Sequence, residues 1–319
     1  MPPSEFKYLT TKLRVDHTQL TPKQLLCKVY HLICAPSRCI DLVNGILEAR
    51  QNLKDLGALQ SEDRRVPSLR PFEPPIFVWE PVPDCCTPKE LPSVLEALKL
   101  VDVISPNHHE LGALFGETGP DPFGACKLDV MERQCNELLS KGFGKKPSAV
   151  VVRRGDQGCY IASNTRHTWF PAYYKPREDL DKEEQKTWTS KIIDPTGAGN
   201  AFLGGFCVGL LDVMPQGRTE FEQGAIYGSV AASFAIEQVG MPSLSHTEDG
   251  EELWNGETVE GRMANFRKRL PLERLSENQS FDASLYGPCK ALVFGEPKIR
   301  TERIAADFEG TRQVPLDQL

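Results

Sequence analysis

The chain has 319 residues, 40% of them hydrophobic and 25% charged, which is an ordinary globular composition with room for one large α/β domain or two smaller ones. Its formal net charge of −7 and pI near 5.5 argue against a nucleic-acid or anionic-membrane partner, because neither is attracted to an acidic surface. No apolar run approaches the roughly 18 residues of a membrane span, and the opening MPPSEFKYLTTKLR has no apolar signal core, so a cytoplasmic location is expected.

Apolar runs then alternate with amphipathic stretches. VYHLICA (Val29 to Ala35) reads as a buried strand and IDLVNGILEAR as the helix after it. A polar, Pro-rich connection runs from about Gln51 to Pro75, followed by a second buried strand, IFVWE (Ile76 to Glu80). LPSVLEALKL reads as a helix, VDVIS as a short strand, NHHELGALFG as a helix start and LDVMERQCNELLSKGFG as a strong amphipathic helix. SAVVVRRG is a strand that runs into the Gly-spaced turn GDQG. This β-α-β-α order predicts an α/β fold with a mainly parallel sheet flanked by helices.

The charged stretch YYKPREDLDKEEQKTW (Tyr173 to Trp188) reads as a solvated loop or a short exposed helix. After Gln238 the strand–helix rhythm is lost. The expected division is therefore a domain over 1–245 and a C-terminal extension over 246–319, part helical and part unstructured. Ten cysteines without a CxxC pair argue against zinc-ribbon and redox motifs and for buried reduced thiols.

Three stretches could carry chemistry. In DPTGAGNAFLGGF, the loop Thr196-Gly197-Ala198-Gly199 precedes an apolar helix. Small residues there let an anion approach the backbone, and the first helical turn presents free N–H groups and the positive end of the helix dipole. Taken alone, the loop is equally a tight strand-to-helix turn. No GxxxxGK[ST] occurs, and Gly197, Gly199 and Gly204 have the wrong spacing for GxGxxG. After VDVIS, Asn107 and Glu110 stand one helical turn apart; they either hold a hydrated magnesium ion or simply cap the helix. In RRGDQG, Gly155 and Gly158 would let a turn approach a phosphate beside Arg154, or would form a hairpin turn into CYIAS.

In this order, NHHE, RRGDQG and DPTGAGNAF resemble the motifs of the PfkB or ribokinase family of sugar and nucleoside kinases, and the chain looks like a fungal branch diverged from the sugar kinases. The resemblance covers roughly Leu32 to Ser243. It implies a ribokinase-like layered fold, ATP and Mg2+ as cofactors, and transfer of the γ-phosphoryl group to a hydroxymethyl alcohol of a sugar or nucleoside. By motif position, Asn107 and Glu110 would organise the metal. Arg154, Gly155, Gly158 and Thr196 would shape the nucleotide site, and Gly197, Ala198 and Gly199 would form the anion hole.

Two departures from the family pattern follow. Asn200 stands where the family has its catalytic base aspartate, and an amide cannot take a proton from an attacking hydroxyl, a step typically worth about 10²–10⁴ in rate. No Gly-Gly pair precedes Gly204, so the chain is expected to enter the fold late, near FKYLTTKLR, without the family's N-terminal sugar-binding part. That leaves an expected exposed sheet edge beside VYHLICA, to be covered by a protein partner or a second copy. The expected activity is impaired phosphoryl transfer; the rival reading is a catalytically inactive kinase-fold scaffold.

Overall fold

A computed structural model describes residues 14–56, 73–117, 128–143, 148–174, 181–212 and 218–270. The chain divides into two units, Met1–Leu272 and Glu273–Leu319, and the second lies outside the described residues.

The first unit runs α1 (Pro22–Leu25), β1 (Val29–Cys34), α2 (Pro36–Asp55), β2 (Ile76–Pro81), α3 (Leu91–Leu98), β3 (Val103–Ile104), α4 (His108–Leu114), α5 (Leu128–Lys141) and β4 (Ala149–Arg153). It continues through β5 (Cys159–Ser163), β6 (His167–Phe170), α6 (Lys182–Ser190), α7 (Ala198–Gly209), α8 (Glu220–Ala235), β7 (Leu244–His246), β8 (Glu252–Trp254) and α9 (Val259–Arg269). Strands β1 to β6 form one sheet in sequence order: β1 to β4 are parallel, and β5 and β6 continue it antiparallel. The α/β reading therefore holds, and β1 is the terminal strand of this sheet. Helix α2 is longer than expected at both ends. Pro36 fits its first turn, where a missing N–H costs nothing, and it continues to Asp55, past the Gln51 at which a connection was expected.

Alternation along the strands builds two cores. Phe77, Trp79, Ile104, Val150 and Val152 face α2, α3 and α5. Val78, Val103, Ala149 and Val151 face α7, α8 and α9. Ala149 to Val152 are fully buried, as a strand covered on both faces should be, and burial of each such branched side chain is worth about 1.5–3 kcal/mol. The same parity puts His31, Glu80 and Arg153, near the C-terminal ends of β1, β2 and β4, on the α7/α8 side of the sheet.

Beyond residue 245, α9 packs on α8 through Met263 and Phe266, and Arg262 is buried with them. Its guanidinium lies 2.8 Å from Glu237 and 3.1 Å from Glu257, 3.7 Å above the ring of Phe234, and it donates to Ser233 Oγ. The charged insert begins with two buried tyrosines, Tyr173 and Tyr174, against which Trp188 of α6 stacks; most of the rest of α6 is exposed. The eight cysteines among the described residues are all free thiols.

Candidate active site

The glycine loop is built as a strand-free turn into α7. Asp194 Oδ1 accepts the Thr196 N–H at 2.9 Å, and Ile193 and Asp194 donate to Ile236 O at the end of α8, which ties the loop to that helix. That hydrogen bond from Thr196 also holds the Asp194 carboxyl below its ordinary range. Gly197 caps α7 with φ +83, a left-handed conformation that favours glycine. The first helical residues are Ala198, Gly199 and Asn200; the Ala198 N–H donates to Pro195 O at 3.1 Å, and those of Gly199 and Asn200 are directed out of the helix N-terminus.

Asn107 and Glu110 form a reciprocal cap at the start of α4. Asn107 Oδ1 accepts the Glu110 N–H at 2.9 Å, and Glu110 Oε2 accepts the Asn107 N–H at 2.7 Å. Among the described residues no group of three or more His, Cys, Asp or Glu side chains could hold a metal ion by itself. Glu110 Oε1 remains outside the cap. This donor set fits a magnesium ion carried by nucleotide phosphates and held through one carboxylate and water, the usual manner for that ion, rather than a dedicated protein cage.

Beside this cap lies a buried charge cluster that spans three strands. Arg153 Nη2 donates to Glu80 Oε1 at 2.7 Å and to Ser105 O at 3.0 Å, and lies 3.6 Å from Glu110 Oε2. His31 Nε2 is 3.2 Å from the other oxygen of Glu80. Burial works to raise the Glu80 carboxyl, but the hydrogen bond with His31 and the charge of Arg153 outweigh it and hold the group below the usual range. Glu110 goes the other way: its burial outweighs the bond from Asn107 and the more distant Arg153, so its carboxyl is raised.

These elements close around a cavity of about 430 Å³ at the C-terminal edge of the parallel strands, where open α/β sheets bind ligands. Asn107, Arg153, Gly155 and Gly158 line it from the strand ends, and Ala198, Gly199 and Phe202 from α7. Ser229, Ala232 and Ser233 of α8, Ile236 just beyond it and the pair Tyr173–Tyr174 supply a largely apolar remainder. Gly158, at φ +85, sits against the end of β6 and the two residues after it: a Cβ there would lie 2.0 Å from Phe170 O.

The predicted residues gather at one place, with differences. Asn107, Gly155, Gly158, Ala198 and Gly199 line the cavity. Thr196, Gly197 and Asn200 are exposed and not part of its wall, and Glu110 lies behind Asn107. Arg154 is absent from the wall, and its backbone N–H donates to Gly158 O at 2.7 Å across the turn. The arginine inside is Arg153, for which strand parity with Val151 was the available signal. Glu80, His108, His109 and the two tyrosines were not singled out by the sequence reading either; both histidines line the wall with their rings 3.9 Å apart.

Residues 81–248, just over half of the chain, match the pfkB family of carbohydrate kinases. The chain belongs to that family. Protein MAK32 of Saccharomyces cerevisiae is 28% identical over 282 residues, which are 84% of this chain and 66% of that protein. Inositol 3-kinase of Arabidopsis thaliana is 31% identical over 173 residues, 48% of this chain and 42% of that enzyme. Among solved structures, Arabidopsis thaliana ribokinase aligns with a TM-score of 0.43 and 16% identity, over 69% of this chain and 53% of that one. The chain thus spans about two thirds of the length of MAK32. No helix among the described residues is long and apolar enough to cross a membrane.

Proposed function

We propose that the cavity binds Mg2+-ATP and that the chain is a carbohydrate-kinase-like protein whose phosphoryl transfer, to a hydroxymethyl group of a sugar, polyol or nucleoside, is slowed by Asn200. The observation that carries this reading is the convergence of the glycine loop, Asn107 and the turn Gly155–Gly158 on one cavity in a member of a carbohydrate kinase family. The apolar wall of Tyr173, Tyr174, Ala232 and Ile236 suits a base. The backbone N–H groups of Gly199 and Asn200 suit the phosphates: they are already oriented, so they stabilise charge on a transferring phosphoryl group without reorganisation. When bound, the magnesium ion would neutralise phosphate charge, with Glu110 and Asn107 nearest to it by motif.

Asn200, exposed in the first turn of α7, can hydrogen-bond an acceptor hydroxyl but cannot take its proton. Because phosphoryl transfer depends mainly on positioning and electrostatics, loss of the base slows the step without removing it. The same residue favours the alternative of a nucleotide-binding scaffold without turnover. Incubation with ATP and a panel of sugars, open-chain polyols and nucleosides, with phosphorylated product read by mass spectrometry, tests the proposal. A product with any acceptor supports the kinase reading; ATP binding with no product across the panel supports the scaffold.

A further inference from the structure

We infer that Arg153 is the residue that grips the phosphate chain of the cavity's ligand, with Glu80 as the group that positions it. This deepens the nucleotide reading and rests on it for the identity of the ligand, though not for the anion.

Arg153 is the last residue of β4, and the parity that buries Val151 against α7 and α8 turns its side chain the same way. The guanidinium is 13% exposed and reaches as far as the glycine loop: a Cβ on Gly199 would lie 2.4 Å from its Nη1. Both hydrogen bonds that fix it, to Glu80 and to the Ser105 carbonyl, are made by Nη2. Nη1 and Nε make none among the described residues, and Nε is a buried donor without a partner.

A buried N–H left unpaired is costly, and Nη1 beside the glycine loop can donate to a phosphate oxygen there with the charge of the whole guanidinium behind it. Nη2 is therefore anchored by a carboxylate and a carbonyl while Nη1 remains unspent beside Gly199 at the start of α7. Among the described residues, no second arginine and no lysine lines the cavity. Glu80 completes the arrangement: it keeps Nη2 engaged at the sheet, and His31 on its other oxygen keeps the carboxylate in place.

The test uses the full chain and two variants, Arg153→Gln and the double variant Arg153→Gln/Glu80→Gln, which avoids leaving Glu80 buried without its cation. Mg2+-ATP, inorganic tripolyphosphate and adenosine are titrated calorimetrically into each after circular dichroism has verified the fold. Both variants should lose affinity for ATP and tripolyphosphate by about 10- to 100-fold and keep that for adenosine within about twofold. ATP and tripolyphosphate affinities within about twofold of the parent in the folded double variant overturn the inference while leaving the nucleotide reading intact. Tripolyphosphate binding that depends on Arg153 in a protein that ignores ATP and adenosine supports the inference and removes the nucleotide. A parent protein that binds none of the three overturns both.

Discussion

Gly199→Ala separates the stability of the site from its function. Gly199 is helical, so the backbone accepts alanine without strain, and replacing glycine in a helix gains up to about 1 kcal/mol. The new Cβ, however, falls 2.4 Å from Arg153 Nη1 and 3.7 Å from its Cζ. Ordinary contact begins near 3.4 Å, so the guanidinium must retreat by about 1 Å. Its 2.7 Å bond to Glu80 cannot survive that displacement unchanged, and a charge-assisted hydrogen bond contributes about 1.5–3 kcal/mol. The two terms nearly offset, so urea unfolding should show a net loss of only about 0.5–2 kcal/mol. ATP affinity measured calorimetrically should fall by at least about tenfold, because the same shift displaces the phosphate-facing Nη1. Combined with Arg153→Gln, the binding losses should be far less than additive, since both act through one guanidinium. Parent-like ATP affinity in Gly199→Ala, or fully additive losses, would refute the placement of Arg153 against the loop.

Asn200→Asp should raise phosphoryl transfer by up to about 10²–10⁴ without loss of stability, because a carboxylate in the first turn of α7 also suits the helix dipole; coupled ATP turnover with the active acceptor checks it, and no gain would show that this position is not the vacated base. Gly158→Ala should destabilise by about 2–4 kcal/mol in urea unfolding, since it combines a positive φ with collision against the Phe170 and Pro171 backbone; a loss below 1 kcal/mol would contradict the turn geometry. Arg262→Met should cost about 3 kcal/mol by leaving Glu237 buried beside Tyr174 without its cation, and an unchanged melting transition would show that the pair is dispensable. The Glu80 carboxyl is held low in the folded chain, so its contribution is present above the ordinary glutamate value near about 4.3 and lost as pH falls through the lowered one. Glu110, held high by burial, has the opposite sign and loses stability as pH rises through its raised value. Unfolding free energies from about pH 3 to 6 should therefore fall less steeply with acid in Glu80→Gln than in the parent, and identical slopes would remove the ion pair from the account of stability.

Much of this architecture is written locally. The strands at Ile76 and Ala149 are legible because a strand buried on both faces reads as an unbroken apolar run ended by turn residues; the strand at Val29 reads as buried too, but as the terminal strand it is only half-buried, with Ile33 exposed. The cap Asn107–Glu110 and the loop before α7 are legible because each depends on residue types at fixed short offsets. What escaped depends on partners distant in the chain. Arg153 and Arg154 are equivalent in composition, and only the parity of β4 against α7 selects the first. Glu80 reads as the polar end of a strand until His31 and Arg153 arrive from neighbouring strands. The same holds for Arg262, which looks like one charge on a polar helix and is buried because Glu237 and Glu257 meet it there. Tyr173 and Tyr174 open a stretch whose charge marks it as solvated, yet they turn inward to the cavity.

The central claim is that the cavity at the glycine loop takes the phosphates of ATP. Calorimetric titration of Mg2+-ATP into the parent chain and into Ala198→Glu, whose added carboxylate would crowd and repel an anion at the first residue of α7, addresses it most directly. One-to-one binding to the parent and its loss in a folded Ala198→Glu variant is the expected result. Equal affinity in the two folded proteins, or no binding to either, would contradict it.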